Sequence, residues 1–81
     1  MRSEDPYQNL ANAIVLSAVK DYRDALKKLK KKPNNKLAAD ERDDIERFFR
    51  SGYFAILTEI DPEYLIDRLN KEVFGLHQRN I

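Results

Sequence analysis

An all-α fold is predicted for this 81-residue chain: a small helical bundle with a long N-terminal helix, an antiparallel second helix and two shorter C-terminal helices. Three observations carry that expectation. Apolar residues recur in steps of three and four from Tyr7 to Leu29 with no proline or glycine among them. Asp-Pro pairs at 5–6 and 61–62 mark two helix starts, and Pro33-Asn34-Asn35 marks a reversal. No stretch alternates apolar and polar residues long enough to suggest a strand.

The first helix opens at Asp5, an acidic N-cap followed by a proline whose missing N–H costs nothing there. Tyr7, Leu10, Ala11, Ile14, Ala18, Tyr22, Ala25 and Leu29 form its apolar stripe, widened by Val15, Val19 and Leu26. Running to Pro33, it would be about 39 Å long at 1.5 Å per residue. That exceeds the roughly 30 Å diameter of a globule of this size, so its ends protrude or another subunit covers the excess. Leu16 falls off the stripe, near solvent; with Val19 it is the candidate contact for a homodimer or another protein partner.

The second helix is expected from about Lys36 to Arg50, with Leu37, Ala38, Ile45, Phe48 and Phe49 on one side; the short turn makes it an antiparallel neighbour. Ser51-Gly52 breaks it, and Ser51 caps a short apolar helix carrying Tyr53, Phe54, Ile56, Leu57 and Ile60. A fourth helix runs from Asp61-Pro62 to about Phe74 and buries Leu65, Ile66, Leu69 and Val73. Gly75 is its expected stop. One domain spans 1–81, with 1–5 and 75–81 frayed.

Composition narrows the function classes. The chain has no cysteine, which leaves neither a disulfide framework nor a thiolate metal site. No apolar run approaches the length of a membrane span, and MRSEDPYQNL does not read as a secretory signal, so a cytoplasmic protein without membrane contact is expected. The net charge of +1 conceals an asymmetry. Residues 1–36 carry nine Lys/Arg against four Asp/Glu, and residues 37–81 six against ten. The halves should attract each other or a second copy.

The lysine-rich stretch ALKKLKKKPNN admits two readings. Lys20, Arg23, Lys27, Lys30 and Lys31 project opposite the apolar stripe and would serve as a sequence-independent nucleic-acid contact; Asp24 is placed to pair with Lys27 and Lys28. Against this, lysine is favoured at any helix C-terminus, and the face offers little arginine and no aromatic for stacking. A helix-turn-helix in the last two helices is disfavoured, because Asp61, Glu63 and Asp67 would meet phosphates.

Catalysis and cofactors are not expected. Asp40, Asp43 and Asp44 lack the glycine turn of a calcium loop, and pairing of Asp43 with Arg47 and Glu46 with Arg50 explains them better. The sole histidine, His77, lies in the tail, and no glycine-rich phosphate loop exists. What remains is the aromatic break ERFFRSGYF. If part of it lies at the surface, Arg47, Arg50 and Tyr53, joined by Tyr64, form an arginine and aromatic patch of the kind that anchors protein interfaces.

The segments NLANAIVLSAVKDYRDALKKLKKKPNNK and IERFFRSGYFAILTEIDPEYLIDRLNKEV together resemble a group of short proteins of prophages and mobile elements in Gram-positive bacteria. The similarity covers about residues 9–73; members of that group carry Asp-Trp at the positions of Gly52 and Tyr53. The resemblance implies a phage or mobile-element setting and transfers no catalytic residue. The expectation is a non-enzymatic module that binds a host or phage protein as an inhibitor or regulator, with nucleic-acid binding as the alternative.

Overall fold

The computed structural model describes the backbone of residues 6–75 and the side chains of residues 9–75; the segments 1–5 and 76–81, with His77, lie outside the described residues. Helix α1 spans Pro6–Lys31, α2 Lys36–Phe49, α3 Gly52–Leu57 and α4 Pro62–Asn70, and one turn of π-helix, Lys71–Gly75, continues α4. Among the described residues there is no strand. The longest dimension, 42 Å, is close to the length of α1 itself, about 39 Å at 1.5 Å per residue.

The starts of α2, α3 and α4 have their chemical cause in the sequence, while the Asp5 cap expected for α1 lies outside the described residues. Asn35 Oδ1 accepts from the Ala38 N–H at 3.1 Å, Ser51 Oγ from the Phe54 N–H at 3.2 Å, and Asp61 Oδ1 from the Glu63 N–H at 3.1 Å. These side chains satisfy amides that have no partner inside the helix. Ser51 also donates its hydroxyl to the Phe48 carbonyl at 2.6 Å, so one serine closes α2 and opens α3. Gly75 is the last residue of the π turn, where the sequence placed the helix stop.

The core joins Val15, Tyr22 and Leu26 of α1 with Phe49, Phe54, Ile66, Leu69 and Val73. Phe49 lies edge-on to both Tyr22 and Phe54, at centroid distances of 5.5 and 5.3 Å, the geometry in which ring edges meet ring faces. Tyr22 is fully buried and its hydroxyl is satisfied twice. It donates to Glu46 Oε2 at 2.6 Å and accepts from Asn70 Nδ2 at 2.9 Å, which ties α1, α2 and α4 together. Asn70 gives its other amide proton to the Ile66 carbonyl at 2.8 Å, at the place where α4 widens into the π turn.

Several expected core positions are on the surface. Leu37 is 80% exposed: it precedes Ala38 by one residue and so sits about 100° from the line through Ala38, Ile45 and Phe49 that faces α1. Ile56, 82% exposed, points away from Phe54 on a helix too short to bury two faces. Leu10 is 60% exposed and Ile14 only half-buried, because α2 ends level with Tyr22 and leaves the first turns of α1 uncovered on that side.

Candidate protein-docking groove

The bundle covers α1 unevenly. One flank carries Arg23, which meets Glu72 of the π turn through a paired contact, Nε to Oε2 at 2.8 Å and Nη2 to Oε1 at 3.1 Å. The other flank, on the far side of the buried line through Tyr22 and Leu26, carries Ile14, Ser17 and Asp21, spaced three and four residues apart. Here α1 meets the last turns of α2, and among the described residues no other element crosses the pair. The result is an open groove of about 470 Å³ lined by Ala13, Ile14, Ser17, Ala18 and Asp21 from α1 and Asp44, Ile45 and Phe48 from α2.

Its floor is apolar and partly desolvated: Ile14, Ala18, Ile45 and Phe48 are half-buried, and three of them also pack against the core. Phe48 extends the surface toward α3, where the exposed Tyr53 ring meets it edge-on at 6.1 Å. Asp21 stands on one wall with no ion pair among the described residues, and Asp44 stands on the other, bonded to the exposed Arg47. An apolar floor with a few charges on its rim is how docking sites are built.

The residues singled out by sequence fall in different places. Tyr53 and Arg47 border the groove. Arg50 does not: it holds Glu63 of α4 by two bonds, Nε to Oε2 at 2.6 Å and Nη2 to Oε1 at 3.0 Å, and reaches Glu46 at 3.4 Å. Those contacts raise the Arg50 guanidinium above its ordinary range, the bond to Glu63 being the main cause, and the same bond holds the Glu63 carboxyl below the ordinary carboxylate range. Val19 is half-buried and packs against the core, on the flank where α3 and α4 cover α1. Leu16 is 66% exposed, as expected, but faces well away from the groove. Tyr64 is exposed with Arg68 over its ring at 6.0 Å.

The basic residues divide as well. Arg23 is paired with Glu72 while its side chain stays 41% exposed, and Lys20 pairs with Asp24 at 3.3 Å. Asp24 thus takes Lys20 in place of Lys27 and Lys28. Lys27, Lys28, Lys30 and Lys31 make no ion pair among the described residues. Arg47 pairs with Asp44 and not Asp43, which binds Arg42 at 3.0 Å. Among the described residues, no group of three or more His, Cys, Asp or Glu could hold a metal ion, and no helix is long and apolar enough to cross a membrane.

No protein-family model, curated protein or solved structure matches this chain. The groove is therefore read from its own chemistry. Sequence reasoning assigned Ile14, Ala18, Ile45 and Phe48 to the buried stripe and missed that they floor an open surface. The available signal was the width of the apolar arc between Leu10 and Val19, which is wider than one neighbouring helix can cover.

Proposed function

We propose that this chain is a non-enzymatic interaction module that binds a host or phage protein through the groove between α1 and α2 and acts as an inhibitor or regulator. The observation that carries this reading is the half-buried floor of Ile14, Ala18, Ile45 and Phe48 between two parallel walls, continued by Tyr53. Isolated exposed leucines are ordinary on a protein surface, whereas these four side chains are contiguous across two helices and carry carboxylates at their edges. The groove's one hydroxyl, Ser17, has no hydrogen-bonded base among the described residues, which favours binding over nucleophilic catalysis. A phage or mobile-element origin and action in the cytoplasm of a bacterial host are part of the same proposal.

A photo-crosslinking residue placed at Ser17, compared with one at the exposed Arg68, tests this in a bacterial host. The expected result is a discrete adduct from position 17 alone, lost when Ala13→Arg narrows the groove. Equal adducts from the two positions, or none from either, overturn the reading.

One observation favours a second reading. Lys27, Lys28, Lys30 and Lys31 crowd two turns of α1 without carboxylate partners among the described residues, a surface suited to a phosphate backbone without sequence preference. Glutamate at these four positions would abolish binding to duplex or single-stranded DNA at low salt and leave the Ser17 adduct intact. No DNA binding by the native chain at low salt removes this reading.

A further inference from the structure

We infer that the groove takes a basic amphipathic helix, an inference that rests on the docking reading above and names the chemistry of the partner. Shape comes first. Two helices packed side by side present a furrow that a third helix fills in a bundle, its side-chain ridges entering the grooves between theirs. Here one flank of the α1–α2 pair is covered by α3, α4 and the π turn, and the opposite flank is bare among the described residues. The longer wall runs along α1 from Ala13 to Asp21, about 12 Å at 1.5 Å per residue, so the groove engages about two turns of an occupant helix. On the α1 wall the side chains at Ala13, Ser17 and Ala18 are small, which lets another backbone approach closely above Ile14, Ile45 and Phe48.

Charge then selects among helices. Asp21 on α1 has no ion pair among the described residues. On α2, Asp44 lies one turn from Glu41, which likewise has none, and Asp44 shares its charge only with the exposed Arg47. Carboxylates thus stand on both walls beside the apolar floor. An occupant whose apolar stripe is flanked on both sides by Lys or Arg would complement them, while one flanked by Asp or Glu would meet like charge. A second copy of this chain fits poorly, because the apolar line of its own basic α1, Val15, Tyr22, Leu26 and Leu29, is already buried in its own fold and cannot reach the floor. Lys27, Lys28 and Lys31 lie about two to three turns beyond Asp21, past the end of the groove, which places the partner's cations opposite Asp21 and away from the lysine end of α1.

Two synthetic helical peptides of equal length, one with lysine and one with glutamate flanking the same leucine stripe, test this by fluorescence anisotropy against the full chain. The lysine peptide should bind, with an affinity that falls as salt rises, and the glutamate peptide should bind at least about tenfold more weakly. The Asp21→Lys, Asp44→Lys double variant, checked for unchanged helical circular dichroism, should reverse the order. Equal binding of both peptides overturns the charge selection and leaves the docking reading standing. Failure of both peptides while the position 17 adduct persists shows that the occupant is not a helix and overturns the inference alone. Loss of that adduct as well overturns the docking reading. Self-association of the native chain that Ala13→Arg abolishes identifies the occupant as a second copy and overturns the inference.

Discussion

Tyr22 and Glu46, 24 positions apart on antiparallel helices, meet through a 2.6 Å hydrogen bond in which the buried phenol donates to the carboxylate. Asn70 completes the contact from α4. Tyr22→Phe keeps the ring against Phe49 but leaves Glu46 and Asn70 each short of a partner. The expected cost is about 1–3 kcal/mol, read from the urea midpoint at constant m-value. For so small a domain that is a large share of a total stability of roughly 5 kcal/mol. A midpoint unchanged by the substitution would show that water replaces the hydroxyl without loss.

Alkaline stability depends on the same phenol. Burial, followed by the hydrogen bond to Glu46, raises the Tyr22 phenol well above its ordinary value. The native state therefore keeps a proton that the unfolded chain gives up at about pH 10. Stability from this group is complete below that pH and falls as pH rises above it, by up to about 1.4 kcal/mol per pH unit. Urea unfolding between pH 9 and pH 11.5 checks this, with the expected slope reduced in Tyr22→Phe.

The Arg50 and Glu63 pair makes the opposite prediction at acid pH. With its carboxyl held below the ordinary range, Glu63 contributes stability that is present above the ordinary carboxylate value and is lost as pH falls through its lowered one. The pair is exposed, so the effect is read by titration and not by unfolding. Following the Glu63 carboxyl by NMR should show a depressed midpoint that returns toward the ordinary value in Arg50→Met.

Core and surface apolar residues should separate cleanly. Phe54→Ala removes a fully buried ring in contact with Phe48 and Phe49 and is expected to cost about 3–5 kcal/mol, enough to unfold most of the population. Leu37→Lys replaces an exposed side chain and should fall within about 0.5 kcal/mol of the native chain. Thermal melts followed by circular dichroism distinguish the two; a destabilised Leu37→Lys would mean that Leu37 packs against something in solution.

The helix plan was legible in the sequence because its signals are local. Proline at 6, 33 and 62 and the capping side chains of Asn35, Ser51 and Asp61 act within a few residues of where they stand. The pairings that complete the tertiary structure were not legible. Arg23 reaches Glu72 across 49 positions and Arg50 reaches Glu63 across 13, and each helix offered nearer carboxylates by spacing alone. The candidate groove escaped for the same reason. Ile14 and Phe48 belong to the apolar arcs of their helices, and only the choice of flank by α4 decides which part of each arc stays open. Arg47 and Tyr53 were found at its border because they flank the aromatic break, where a chain reversal brings side chains to the surface.

The three-helix contact at Tyr22, Glu46 and Asn70 has a mechanical consequence. Sliding α1 along α2 by a single turn would strand the buried Tyr22 hydroxyl without Glu46 or Asn70, so one alignment of the two rods is favoured. The spacing between the rods, and hence the width of the trough on their far side, is set before any guest arrives.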